Sequence, residues 1–289
     1  MILGKPYLGS TEIEKIYLGS NVVYEVGSSY PLDTYTNAST AIAFRKLKTG
    51  AVNCCQIRRS SDNALAIVLL EDTGFISLSS SIVAGGTLGT WLGSDNGFIK
   101  TMYDQTGNGN DWVTFATSEE PIIATSGVLN VDTNGNVTAS FDNLGNRINA
   151  NYTNASTVST VFSVFESSDT SFVLYRDSLS GGVRFIGVGT SGSSSTVIGS
   201  NAGNPSYYIN GTDTSATTRD DIYTNHSTGV PVLSTITNID KSIWNNFEFA
   251  GYVNLYFENK LSLIIVFDTD ETTNQSAIET EINSIYSIY

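Results

Sequence analysis

The sequence predicts an all-β protein, a sandwich of two sheets, and three observations predict it. Val158-Ser-Thr-Val-Phe-Ser-Val-Phe165 carries the apolar–polar alternation of a half-buried strand. Between residues 51 and 267 further short runs of this kind (Phe172–Tyr175, Val183–Val188, Leu261–Phe267) are broken repeatedly by Gly, Asn, Asp and Ser. Short strands with glycine-rich turns at this spacing suit a sandwich or barrel. Finally, no glycine-rich phosphate loop leads from a strand into a helix, which excludes a doubly wound nucleotide fold.

Taken in order, the first element is a repeat. Tyr7-Leu-Gly-Ser10 returns ten positions later as Tyr17-Leu-Gly-Ser20, each copy an apolar run, a Gly-Ser pair and a polar–apolar alternation. That is the signature of a two-residue hairpin. Gly27-Ser-Ser29 reads as a flexible joint. Residues 1–28 are therefore expected to be a docking or oligomerisation arm working through Tyr7, Leu8, Ile16, Tyr17 and Leu18, and residues 29–289 the folded domain. Ala38–Lys48 is expected to be a helix, with Ala41, Ile42, Phe44 and Leu47 on one face, Ser39 or Thr40 as cap and Gly50 as stop. The chain ends in a second helical pattern from Gln275 to Tyr289. Ile278, Ile282 and Ile285 form its stripe, and Glu279 and Glu281 lie near its start, where acids favour the positive end of the dipole.

Composition narrows the function classes. The 289 residues include 14 Lys+Arg and 28 Asp+Glu, a net charge of −14, and only 15% are charged. An isoelectric point near 4.3 argues against nucleic acid, whose phosphates need Lys and Arg, and against an anionic membrane surface. No apolar run reaches the ~20 residues of a membrane span, and the start lacks a signal-peptide layout. Two adjacent cysteines do not make a disulfide scaffold.

Three segments carry a family resemblance: Ala41-Ile-Ala-Phe-Arg-Lys-Leu47 with Ile57-Arg-Arg-Ser-Ser-Asp-Asn63; Gly97 to Asp111 with its Tyr103-Asp-Gln-Thr-Gly-Asn-Gly-Asn-Asp111; and the tail from Leu263 to Tyr289. Together they resemble the concanavalin-A-like (LamG/arabinofuranosidase-B-type) sandwich domains of certain glycoside hydrolases and of bacteriophage structural proteins. The doubled arm is similar to N-terminal segments of phage tail- and head-fibre proteins. The resemblance implies a two-sheet jelly roll exposed on a virion, made in the host cytoplasm, assembled as a homotrimer with other virion proteins and adhering to a cell-surface glycan. The leading expectation is thus a non-enzymatic fibre or appendage protein. Its alternative is a polysaccharide-degrading glycoside hydrolase using two carboxylates. In those hydrolases paired cysteines precede catalytic acids in the second half of the domain, whereas Cys54-Cys55 lies early, so the fold is carried over and the active site is not.

Each candidate site has its reason. Two carboxyls about 5–10 Å apart are needed for glycoside hydrolysis, and Glu166, Asp177, Asp220, Asp221 and Glu248 are the places to look. Sugar binding needs aromatic faces beside hydrogen-bonding side chains, for which Tyr207, Tyr208, Tyr223 and Trp244 are the candidates, with Trp91 in a similar context and Trp112 assigned to the core. Asp104, Asn108 and Asp111 have the alternating oxygens of a calcium loop, although position twelve is Phe115 where a bidentate Glu belongs; Asp132–Asn136 is a weaker match. Asx turns explain both loops without a metal. His226 is the only histidine and has no nucleophile motif around it. Cys54 and Cys55 are expected to face opposite sides of a strand.

Overall fold

The computed structural model describes residues 30–289 apart from 73, 143–144, 151–155, 169–170, 178–184, 190–198, 201, 226–228 and 250–257. Within residues 7–25 it describes the backbone of four strand segments. The principal strands are β1 (Ala38–Ala43), β2 (Asn53–Arg59), β3 (Leu65–Leu69), β4 (Gly97–Met102), β5 (Trp112–Val113), β6 (Ile122–Thr125), β7 (Ala139–Asp142), β8 (Ile148–Ala150), β9 (Ser159–Ser167), β10 (Ser171–Arg176), β11 (Phe185–Gly189), β12 (Gly203–Ile209), β13 (Pro231–Ile239), β14 (Phe247–Phe249) and β15 (Glu258–Phe267). Among the helices are α1 (Pro31–Thr34), α2 (Leu88–Leu92), α3 (Arg219–Asn225) and α4 (Gln275–Tyr286).

Every pairing among these strands is antiparallel, and they form two layers. The first runs β12–β13–β9–β15–β1. The second runs β3–β2–β4–β5–β8–β14–β10–β11. Strand β7 pairs with the first half of β15 and, at Ser140↔Ile122, with β6, which in turn lies against β4. This strand turns the corner from one layer to the other, as sandwich edges do. The predicted all-β sandwich, closed by a C-terminal helix, is observed.

Two apolar clusters hold the layers. Between the sheets, Ile42, Val161, Phe165, Ile236, Ile264 and Val266 meet Ile57, Ile99, Trp112, Tyr175, Phe247 and Phe249. On the outer side of the first sheet, Phe162, Val164, Leu263, Ile265 and Phe267 are covered by α1 and by Ile278, Ile282 and Tyr286 of α4. Strands β9 and β15 are consequently buried on both faces: Leu261–Phe267 reads as a near-continuous apolar run, whereas the alternation of Val158–Phe165 does not mark a half-buried strand, because Ser159 and Ser163 are buried as well. A bulge in β15 (Val164↔Leu263, then Phe165↔Leu261) shifts its alternation so that Leu261, Ile264 and Val266 face inward. The terminal helix stops where Ser287 turns left-handed at φ 51°.

Three expectations change. Ala38–Lys48 is not a helix, because its first six residues are β1. Ala41 and Ala43 pack under α4 while Ile42 and Phe44 enter the inter-sheet core, so there is no polar face for an amphipathic helix to show. Cys54 and Cys55 do not face opposite ways. A bulge between Asn53 and Cys55 turns both free thiols into the same core, and burial together with the neighbouring thiol pushes Cys54 well above its ordinary pKa. Since α4 begins at Gln275, Glu279 lies beyond its first turn, with its carboxylate buried against Thr235 Oγ1 at 2.7 Å.

The arm's repeat forms two hairpins, Tyr7–Leu8 with Thr11–Glu12 and Lys15–Leu18 with Asn21–Glu25. The side chains of Tyr7, Leu8, Ile16, Tyr17 and Leu18, and His226 as a whole, lie outside the described residues.

Candidate functional site

Several predicted site residues turn out to build the fold. Tyr207 and Trp244, expected at the surface, are buried in the inter-sheet core, and Tyr207 Oη accepts a hydrogen bond from Ser234 Oγ at 2.8 Å. Tyr208 and Tyr223 are half-buried, and Tyr223 packs against the core edge. Trp112 is fully buried and its Nε1 donates to Thr40 Oγ1 at 3.0 Å.

The calcium candidates are a clasp on β1. Asp104 accepts from Ala41 N (2.9 Å), Thr106 N (3.0 Å), Thr106 Oγ1 (2.6 Å) and Asn110 N (3.2 Å). Asp111 accepts from Asp104 N at 2.8 Å, and Asn108 Nδ2 donates to the carbonyls of Ala38 and Ser39. Asp132 likewise accepts from Asn134 N and Asn136 N. The loop oxygens are committed to peptide donors, and among the described residues no group of three His, Cys, Asp or Glu is placed to hold a metal ion.

Of the five carboxylates singled out, Asp220 and Asp221 open α3, and Asp221 caps it by accepting from Thr217 N and Thr218 N. Asp177 is buried and accepts from Asn245 N at 3.0 Å. Glu166 lies on β9 of the first sheet, bonded to Lys260 Nζ at 2.7 Å.

Glu248 has a different setting. Its neighbours Phe247 and Phe249 point into the core, so strand alternation puts Glu248 on the outer face of the second sheet. The same alternation places Asn149 there, directly opposite it in register, and Arg176 on the next strand. Arg176 Nε donates to Glu248 Oε1 at 2.6 Å, both groups being buried. Arg147, two residues before Asn149, reaches Glu248 Oε2 at 4.0 Å and hydrogen-bonds Glu119 through its other terminal nitrogen. That bond to Glu119 raises the Arg147 pKa. A short 3₁₀ turn, Thr117–Glu119, is held over this end of β8 by Arg147 N→Glu119 O at 3.0 Å and Asn146 Nδ2→Glu120 O at 2.9 Å.

One guanidinium thus touches two carboxylates. Three polar atoms here are buried without a hydrogen-bond partner: Glu119 Oε2, Arg147 Nε and Asn149 Nδ2. Buried polar groups are nearly always satisfied, so three unmet groups in one cluster call for an explanation. The same face continues with Arg58, stacked on Phe98 and paired with Glu120 at 2.6 Å. Sequence reasoning found Glu248 and missed Glu119, Arg147 and Asn149. The available signal was a Glu-Glu-Pro step at 119–121 and an isolated arginine before a strand, in a chain poor in charge.

No family model and no curated protein matches the sequence. Among solved structures, the chain is similar to a mutant GH54 α-L-arabinofuranosidase soaked with 4-nitrophenyl α-L-arabinofuranoside, with 14% identity and a TM-score of 0.48. It is also similar to an arabinofuranosidase complexed with arabinofuranosyl-α-1,2-xylobiose, with 14% identity and a TM-score of 0.47. Each likeness covers 89% of this chain and 65% of the other. The expectation of a non-enzymatic virion protein is corrected by this finding: the similar structures are glycoside hydrolases, not virion proteins.

Proposed function

We propose that the chain binds and cleaves a glycan on the outer face of the second sheet, with Glu119 and Glu248 as its two carboxyls. The observation that carries this reading is the shared Arg147. A guanidinium that pairs with Glu119 and lies 4.0 Å from Glu248 holds the two carboxyls less than roughly 10 Å apart, the outer limit for glycoside hydrolysis.

Their surroundings divide the roles. Glu248, buried and hydrogen-bonded by Arg176, is the permanent carboxylate that faces the developing positive charge of the sugar ring or activates water. Glu119 has the more exposed side chain of the two, and its second oxygen, buried but without a protein partner, delivers the proton to the departing glycosidic oxygen. The bond from the anomeric carbon to that oxygen breaks, water supplies the new oxygen, and a proton returns to Glu119. Arg147 Nε and Asn149 Nδ2 donate to sugar hydroxyls.

The test is release of reducing ends from a panel of neutral polysaccharides and aryl glycosides, arabinofuranosides and hexosides among them. Glu119→Gln and Glu248→Gln are each expected to lower turnover on the order of 10²–10⁴-fold with the circular dichroism spectrum unchanged. No turnover of any substrate by the parent chain, or full activity in both variants, would overturn the proposal.

A further inference from the structure

Phe115 is 69% exposed and stands where β5 leaves the second sheet. A single phenyl ring at the surface would need no explanation, but this one is fixed beside the carboxylate pair. Buried Thr114 donates from its N to the Lys100 carbonyl at 3.1 Å, and Lys100 Nζ returns a bond to the Thr114 carbonyl at 3.2 Å. The chain rejoins β4 at Pro121, whose carbonyl accepts from Ile99 N at 2.8 Å. Residues 115–120 are therefore an excursion that leaves and returns at one place on β4, tightened by Glu119 N→Ala116 O at 3.0 Å. Phe115 forms one foot of it, and Glu119 lies near the other.

Strand register sets the order across the sheet. Val113 on β5 lies opposite Asn149 on β8, and Asn149 lies opposite Glu248 on β14. Two strand spacings, about 10 Å, thus separate β5 from β14, with β8 between them. Glu119 reaches Arg147, at the start of β8, from the β5 side, through its carboxylate and through its carbonyl. Glu248, Glu119 and Phe115 therefore follow one another across the strands. Arg58 covers the ring of Phe98 on β4, whereas the ring of Phe115 carries no stacked cation or aromatic partner among the described residues.

We propose that Phe115 is the platform for the departing sugar, and that the substrate is an oligosaccharide with a pyranose on its leaving side. This role rests on the reading of Glu119 as the acid and Glu248 as the permanent carboxylate. Displacement at the anomeric carbon then runs from the Glu248 side toward Glu119, which protonates the departing oxygen. The sugar attached to that oxygen lies beyond Glu119, where Phe115 stands. A pyranose chair turns its axial C–H bonds to one face, an apolar plate that a flat aromatic ring can cover while the hydroxyls point outward around the rim.

Isothermal titration calorimetry of the full chain in a Glu119→Gln background, where turnover is removed, tests the platform with xylobiose, cellobiose, maltose and lactose as probes. At least one is expected to bind. Phe115→Ala is expected to weaken that binding roughly 10-fold, the scale of uncovering about 50–60 Å² of apolar ring, and Phe115→Trp to retain it. The melting transition should not move in either variant, since the ring is exposed. With Glu119 intact, the ratio of kcat/KM for the disaccharide to that for the glycosyl fluoride of the same sugar, whose leaving group carries no ring, should fall by the same factor in Phe115→Ala. No binding by any probe, equal affinity in Phe115→Ala, or an unchanged ratio would overturn the proposal. Binding that depends on Phe115 without turnover of any substrate would uphold the platform and overturn the hydrolytic pair; turnover indifferent to Phe115 would do the reverse.

Discussion

Gln105 shows how a motif residue can be chemically active and still be structural. Its side chain, 3% exposed, accepts from Leu47 N at 2.7 Å and donates to the carbonyls of Ala43 and Arg45, tying down the chain as it leaves β1. Gln105→Leu leaves these peptide groups unmet in the interior, and a loss of about 2–4 kcal/mol is expected in urea denaturation. The Cys54 thiol, buried and held in its neutral form, is expected to resist alkylation in the native chain and to react once the chain is unfolded; modification under native conditions at the unfolded rate would contradict that placement. The polar motif from Tyr103 to Asp111 was conspicuous in the sequence, but its role was not. Oxygen-rich spacing is the same whether the oxygens meet a cation or peptide N–H groups, and only the approach of β1 decides between them. The orphaned donors around Arg147 were equally invisible, since an unmet hydrogen bond is a property of the assembled site.

Among the elements, alternation was readable where polar residues recur along a strand, as in β9, although both faces of that strand are buried. It failed at Ala38–Ala43 because a small-residue strand buried on both sides has no polar face to set a period. The terminal helix was legible because its outer side is wet: Ile278 and Ile282 are buried while Glu281 and Ser284 are not. Ile282→Ala, under α4 and against the outer face of β9 and β15, is expected to cost about 2–5 kcal/mol. A loss below about 1 kcal/mol by denaturant titration would mean that the helix contributes little to the sandwich. For the arm, the two hairpins are each too small to be stable unassisted, and we propose that they are completed by a partner surface. Removing residues 1–28 is then expected to leave the thermal transition of the sandwich in place while lowering the mass measured by light scattering; an unchanged mass would remove the arm's assembly role.

For the molecule as a whole, scarce charge is concentrated in a few local pairs, and this sets its response to acid. Burial alone would raise the Glu166 carboxyl, but hydrogen bonds from Lys260 and Thr133 and the Lys260 charge outweigh it and hold Glu166 below its ordinary value. Asp62, held at about 2 by Arg59, and Asp72, beside Lys46, are lowered as well. In the unfolded chain such groups titrate near 3.9–4.3. Because the folded form gives up these protons more readily, their contribution is fully present above the unfolded values and is lost as pH falls through the folded ones. Asp111 and Glu281, raised chiefly by burial, act in the opposite sense, since folding favours their protonated form. The lowered group is the larger, so Tm is expected to be level near neutrality and to drop steeply below about pH 4. Glu166→Gln gives the decisive comparison. It should melt below the parent at neutral pH, where the pair with Lys260 is intact, and the two melting curves should converge in acid as the parent's own carboxylate takes up its proton. A gap that stays constant across the titration would show that Glu166 is not held as a carboxylate by Lys260.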